Sequence, residues 1–168
     1  MKRDKITRMT VLGLLTTVAL VLSYVESLLP PIWAAVPGIK LGLPNVIIIL
    51  LLYKSGLKEA VIVSFVRVLL VALLFGSTMT LAYSIAGAAL SLTLMALCKR
   101  FGIFSTVGVS IVGGVTHNLG QILVAIALFD TVQLGYYMIV LAVTGTVAGV
   151  FIGLAGTLLL RRLERFTW

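Results

Sequence analysis

The sequence Gly-Gly-Val-Thr-His-Asn-Leu-Gly-Gln, residues 113–121, decides the fold because it places polar side chains inside the long apolar run Ser105–Leu128. A polar side chain at membrane depth is costly unless it faces protein, water or a ligand. At helical spacing His117 and Gln121 fall on one stripe, with Asn118 beside it. The stretch therefore predicts a membrane helix whose polar face lines a small-molecule site inside a helical bundle.

The composition is that of an integral membrane protein. Of the 168 residues, 61% are hydrophobic, and the mean hydropathy is +1.21. No soluble domain of this size needs so much apolar surface. The formal net charge of +8 would suit nucleic-acid binding, but the basic residues form short clusters between apolar runs. That distribution orients helices in a bilayer, so we expect a lipid environment and no nucleic-acid partner.

The apolar runs predict an all-α membrane protein, a single domain over residues 1–168 with six transmembrane helices. All but two of the 13 Lys and Arg residues, Lys40 and Arg67, lie at helix ends that would share one side of the membrane. This bias predicts that both termini are cytoplasmic and that the chain is a multi-pass protein of the bacterial plasma membrane. The predicted helices are at about 9–29, 43–53, 57–75, 79–97, 105–128 and 135–160.

Glycines on the last two predicted helices indicate close contacts. Gly113 and Gly114 would let another helix or a bound molecule approach the backbone. In the sixth helix Gly145, Gly149 and Gly153 recur every four residues. Such a row indicates that a helix packs along it, either in this chain or in a partner.

Four polar residues in the first half of the chain are candidates for the site. Glu26 is either an acid at the interface or a site residue that pairs with a cation. Lys40, in the proline-rich outer loop 30–44, either reaches the interface or lies at the mouth of the site. Asn45 either caps the second helix or contacts a ligand. Arg67 lies near the bilayer midplane, where an arginine costs at least about 2.5 kcal/mol. It would pair with Glu26, balance the charge of an acidic substrate, or do both.

The predicted topology brings these residues together in a pocket that opens on the outer side, under the proline-rich loop. The set is cationic overall, which suits a small anionic molecule with an apolar body. The predicted substrate-binding residues are Glu26, Lys40, Asn45, Arg67, His117, Asn118 and Gln121.

The sequence lacks the residues that several enzyme classes need. No Gly-rich phosphate loop is present, so the chain does not drive itself with nucleotide. Only two aspartates occur, Asp4 and Asp130, whereas ionisation of prenyl diphosphates on magnesium needs paired acidic clusters. One His, one Cys and five acids make a metal site improbable. We therefore predict a non-enzymatic protein with no catalytic residues, no metal and no cofactor.

Two stretches, residues 37–45 and 113–121, resemble the Gx transporter family, which is also called heptaprenyl diphosphate synthase component I. That family is similar to the substrate-binding S components of energy-coupling factor (ECF) vitamin transporters. The resemblance implies a six-helix S-component fold with a pocket on the outer side. It also implies a membrane coupling subunit and cytoplasmic ATPase subunits as partners. S components dock through Ala-x-x-x-Ala in the first helix, and the nearest match here is Gly13 with Thr17.

Three functions are compatible with this sequence. The first is a substrate-capture subunit of an ECF-type uptake transporter that binds a small anionic or aromatic molecule, such as a quinone or an isoprenoid precursor. The second is a non-catalytic membrane component associated with heptaprenyl diphosphate synthase. The third is a permease that acts alone.

Overall fold

The computed structural model describes residues 2–28, 42–102, 104–130 and 132–166. Within these ranges every regular element is helical, which confirms the predicted all-α class. A short 3₁₀ helix, Val132–Tyr136, precedes the last α-helix. The α-helices are α1 (Lys2–Leu28), α2 (Asn45–Lys54), α3 (Leu57–Phe75), α4 (Thr78–Phe101), α5 (Thr106–Phe129) and α6 (Tyr137–Arg162).

Four of these helical segments are long and apolar enough to cross a membrane. They are Lys5–Leu28, Thr78–Phe101, Thr106–Phe129 and Val132–Arg162. The other two helices are not among these candidate spans. Helix α2 is too short, with only 10 residues, and α3 carries three charged residues, Lys58, Glu59 and Arg67. The count of six spans therefore stays a prediction.

The surface of the bundle is apolar, as expected where side chains face lipid. Leu73 on α3 is 80% exposed and Phe151 on α6 is 68% exposed. By contrast, Ser64, Ser91 and Ser110 are buried between helices. A water-soluble helical protein shows the opposite distribution, with its apolar stripes turned inward. The chain is therefore a membrane protein.

The short helix α2 forms the centre of the fold. Its residues from Ile47 to Leu52 are all buried. Because this segment is apolar on every side, it has no polar face to present to water. Helices α1, α3 and α6 pack around it. Pro44 immediately precedes the helix, where its missing N–H costs nothing.

Glycines allow α5 and α6 to pack backbone against backbone. A Cβ atom at position 145 would lie 2.9 Å from the carbonyl carbon and oxygen of Gly114. At position 149 it would lie 2.6 Å from the Cα of Ile111. The sequence left open which helix packs along the glycine row of α6. The structure shows that it is α5 of the same chain.

Basic residues from distant parts of the sequence meet at one end of the bundle, which we call the basic end. Arg8 on α1 forms an ion pair with Glu59 on α3. The Nζ of Lys54 on α2 donates a hydrogen bond to the carbonyl of Leu163, 2.8 Å away. Lys99 on α4 donates to a carbonyl of α2 at 2.5 Å. The helices therefore alternate in direction as predicted, while the side of the membrane that the basic end faces stays a prediction.

Two predicted helix boundaries were wrong. Helix α1 begins at Lys2, not at the start of the predicted range 9–29. Helix α4 continues past the predicted range 79–97 to Phe101, where Gly102 ends it in a left-handed conformation (φ 63°). In both cases the helix continues beyond the apolar run, because Lys and Arg are good helix formers. The other four helices begin and end within two residues of their predicted bounds.

Candidate functional site

A polar cavity of about 50 Å³ lies inside the bundle, on the side away from the basic end. Its walls come from α1, from the start of α2, and from α3, α5 and α6. The seventh predicted residue, Lys40, lies outside the described residues. The other six predicted binding residues all line the cavity: Glu26, Asn45, Arg67, His117, Asn118 and Gln121.

Arg67 has an unsatisfied donor at this cavity. Its Nε is buried and has no hydrogen-bond partner within the residues that the structure describes. A guanidinium group carries five N–H donors and no acceptor. A buried donor that is left without a partner costs about 1–3 kcal/mol, and more when the group is charged. An acceptor atom in the cavity would therefore stabilise Arg67.

Glu26 joins α1 to the segment that leads into α2. Its side chain is 9% exposed and accepts a hydrogen bond from the backbone N–H of Gly42. Gly42 has a φ of +74°, which favours glycine. Glu26 also interacts electrostatically with Arg67, so the two opposite charges lie near each other. The proximity agrees with the structural pair that the sequence suggested, and it leaves a role in substrate binding as a proposal.

The imidazole of His117 lies against α4. A Cβ atom at position 87 would be 3.0 Å from the Nδ1 of His117, so only glycine fits at that position without a shift. His117 also lines a second cavity of about 20 Å³ next to the first. Ser64, Ser91 and Ser110 contribute hydroxyl groups to this smaller cavity. His117 thus lines two neighbouring cavities, and only the larger one has room for a carboxylate-sized group.

Asn118 has a structural role in addition to its place at the cavity. Its Nδ2 donates a hydrogen bond to the carbonyl of Leu141 on α6, at 2.8 Å. This bond joins α5 to α6 next to the contact between Gly114 and Gly145. The side-chain oxygen of Asn118 can still accept a hydrogen bond from a ligand.

The sequence did not identify the wall that α6 contributes to the cavity. Gly145, Ala148 and Ile152 line it, together with Gly114 of α5 and the backbone of Gly42. The four-residue glycine spacing was a usable signal, but it indicated helix packing rather than a cavity. The small residues serve both helix packing and the cavity. Because they have no large side chains, they let α5 approach α6 and leave room for the cavity beside that contact.

The size of the cavity limits what it holds in this conformation. A water molecule needs about 10–15 Å³ of such space, so about three or four waters fit in 50 Å³. A carboxylate-sized group fits, whereas a drug-sized ligand needs a pocket of about 300–1,000 Å³. No three His, Cys, Asp or Glu side chains of the described ranges lie close enough together to hold a metal ion. The cavity therefore suits the acidic end of an organic molecule.

The predicted docking residues lie away from the cavity, on the outer face of α1. Gly13 and Thr17 are both exposed. A Cβ atom at position 13 would meet no described atom within 4 Å. The hydroxyl of Thr17 donates to the carbonyl of Gly13 at 3.0 Å, which satisfies it within the helix. This face is therefore open to a partner helix or to lipid.

Comparison with known proteins identifies a family. No curated protein and no solved structure matches the chain. A family model described as heptaprenyl diphosphate synthase component I matches residues 15–159. The matched range contains every described residue of the polar cavity and both stretches that suggested a family. The chain belongs to the heptaprenyl diphosphate synthase component I family.

Proposed function

We propose that this protein is the membrane substrate-binding subunit of an ECF-type uptake transporter. It captures a small anionic molecule, such as a quinone or isoprenoid precursor that carries a carboxylate, and the polar cavity holds the carboxylate end of that molecule. The observation that carries the proposal is that Arg67, whose buried Nε has no partner among the described residues, lines a cavity together with other polar side chains. A buried cation in a membrane bundle is a functional-site hypothesis by default.

The charges and donors of the cavity support an anionic substrate. Arg67 offers the unpartnered N–H of its Nε, and Asn45, His117 and Gln121 add polar side chains around the same space. Glu26 is the one acidic side chain among the described residues of the cavity wall, and it already accepts a bond from Gly42. A carboxylate would accept two parallel bonds from a guanidinium group, which fixes its orientation.

The position of the cavity supports uptake from outside. The cavity lies toward the end of the bundle that is opposite the basic end. If the basic residues face the cytoplasm, as the positive-inside rule predicts, the cavity lies nearer the outer surface. An uptake subunit needs its binding site on that side. The protein would then be a multi-pass protein of the bacterial plasma membrane.

The substrate-binding proposal is tested by native mass spectrometry of the protein purified in a mild detergent from cells grown in rich medium. We expect the wild type to carry a retained small anion, and Arg67→Gln and His117→Ala to carry much less of it. Arg161→Gln is the matched control, because Arg161 is an exposed arginine at the basic end. Equal retention in the wild type and in both cavity variants would reject the proposal.

An ECF-type subunit also needs a surface for the membrane coupling subunit that links it to the ATPases. The exposed Gly13 and Thr17 are the proposed surface, because small residues allow close helix contact in a membrane. We expect Gly13→Trp to reduce co-purification with coupling and ATPase subunits about 5- to 150-fold, since one steric clash in a packed interface costs about 1–3 kcal/mol. Val143→Trp, at an exposed position on α6, should leave co-purification unchanged. Equal loss in both variants would argue against this surface.

A second function is favoured by the description of the family, which names a component of a synthase. In this alternative the protein is a non-catalytic membrane component associated with heptaprenyl diphosphate synthase. Its test is to mix the purified protein with a catalytic prenyl synthase subunit and to measure chain elongation. Activity that depends on this protein, together with no retained anion, would favour the synthase partner over the transporter subunit.

A further inference from the structure

A third and much larger cavity lies between α3 and α4, and we call it the α3–α4 groove. Its volume is about 710 Å³, which is within the usual range for pockets that bind organic ligands. Helix α4 packs far more extensively on α5 than on α3, and this leaves the space between α3 and α4 open. The groove does not include Arg67, Glu26 or His117, so it is distinct from the polar cavity.

The walls of the groove are mostly apolar. Val61 and Phe65 line it from α3 and Leu92 lines it from α4, and only Ser64 and Thr93 bring hydroxyl groups to its described lining. Phe65 is 53% exposed although it lines the groove, so the space is accessible from the side of the bundle. In a bilayer the groove would be filled by apolar chains.

The length of the groove corresponds to one leaflet of a bilayer. Along α3 its lining runs from Leu57 to Val68, and along α4 its apolar lining runs from Ile85 to Leu97. At helical rise these two stretches span roughly 17 and 18 Å. The hydrocarbon core of a bilayer is about 30 Å thick, so the groove runs from the basic end to about its middle.

Two cationic side chains lie at the basic end of the groove. Lys99 and Arg100 both belong to its lining. The Nζ of Lys99 donates to the carbonyl of Leu52 at 2.5 Å and lies 5.0 Å from the ring centroid of Tyr53. These contacts hold the ammonium group at the groove and leave it further N–H donors. Basic pockets between membrane helices on the cytoplasmic side are known to bind anionic lipid head groups.

We propose that the α3–α4 groove binds an anionic glycerophospholipid, with an acyl chain along α3 and α4 and the phosphate on Lys99 and Arg100. The apolar walls, the leaflet length and the positive charges at one end all fit this class of ligand. The site does not depend on the function proposed above, because it shares none of the charged residues of the polar cavity.

The test uses the full-length protein in nanodiscs that contain equal amounts of phosphatidylglycerol and phosphatidylcholine, followed by native mass spectrometry of the lipids that the released protein retains. We expect retention to favour phosphatidylglycerol about thirtyfold, since each basic residue near the head group contributes about fivefold. Arg100→Gln should lower this preference about fivefold. Arg161→Gln is the matched control at the basic end and should leave it unchanged.

A second variant tests the groove itself without changing charge. Ala89→Trp fills the space between α3 and α4, and we expect at least about a tenfold loss of retained phosphatidylglycerol. Ala127→Trp, at an exposed alanine of α5 away from the groove, should retain lipid as the wild type does. Equal retention of the two lipids by the wild type, or retention unaffected by both Arg100→Gln and Ala89→Trp, would overturn the proposal. Displacement of phosphatidylglycerol by micromolar farnesyl diphosphate would also overturn it, in favour of a prenyl diphosphate site.

Discussion

Arg67→Gln should weaken the binding of an aromatic carboxylate about 10- to 150-fold. The physical reason is that a hydrogen bond to a charged group contributes about 1.5–3 kcal/mol, and the carboxylate would accept one from the unpartnered Nε of Arg67. The loss of that bond gives the stated range of dissociation constants. The probe is fluorobenzoate, whose binding to the detergent-solubilised protein is measured by fluorine NMR.

Loss of binding in one variant does not by itself separate a binding role from a structural one. Arg67→Gln leaves Glu26 buried without the opposite charge that lies near it, so we expect this variant also to be less stable. The double variant Glu26→Gln with Arg67→Gln removes both charges and should recover stability. It should still fail to bind fluorobenzoate, because the guanidinium group is absent.

The double variant separates the two roles of Arg67. If Arg67 only balanced the charge of Glu26, the double variant would fold and bind fluorobenzoate as well as the wild type does. Arg161→Gln controls for the loss of a positive charge elsewhere and should bind normally. Binding by the double variant, or no binding by the wild type, would contradict the proposed site.

Gly145→Ala should destabilise the protein by a net of about 1–3 kcal/mol, once the gain of about 1 kcal/mol in helix propensity is subtracted from the costs below. The added methyl group would lie 2.9 Å from the backbone carbonyl of Gly114, so α5 and α6 would have to separate. Overpacking of this kind costs about 1–3 kcal/mol. The same methyl group would lie 3.0 Å from the Nδ2 of Asn118, whose hydrogen bond to Leu141 contributes about 1 kcal/mol more. The measurement is unfolding in mixed micelles of increasing SDS content, followed by circular dichroism.

Gly13→Ala is the matched control for this prediction. It is also a glycine-to-alanine change inside a membrane helix, but the new methyl group would meet no described atom within 4 Å. Alanine is the better helix former by about 1 kcal/mol, so this variant should be as stable as the wild type or more stable. Equal destabilisation of the two variants would show that the close contact between Gly114 and Gly145 is not the reason that Gly145→Ala lowers the free energy of unfolding.

Much of the architecture could be predicted because it depends on local sequence. Each apolar run is long enough to identify a helix by itself, and four of the six helices begin and end within two residues of their expected bounds. The errors, at the start of α1 and the end of α4, arose where helix continues past the apolar run into basic residues. Hydrophobicity marks where lipid could be, whereas backbone hydrogen bonding decides where a helix stops.

The candidate site was predictable in composition but not in arrangement. Polar residues in apolar helices are costly, so Arg67, His117 and Gln121 can be recognised as candidates from the sequence alone. The sequence does not state which helices are neighbours, and the cavity is lined by Arg67 of α3 and His117 of α5, which lie fifty positions apart. The structure brings six of the seven candidates to one cavity. That they bind a substrate there remains the proposal that the variants test.

The sequence by itself determined that this is a helical membrane protein with its basic residues at one end and costly polar groups within it. Those features follow from the hydrophobicity of each segment and from the position of each charge. Only the tertiary structure decided that α5 occupies the glycine row of α6, that Asn118 bonds to Leu141, and that α3 and α4 leave a groove between them. These depend on how closely two backbones approach, which is a property of pairs of helices and not of any single segment.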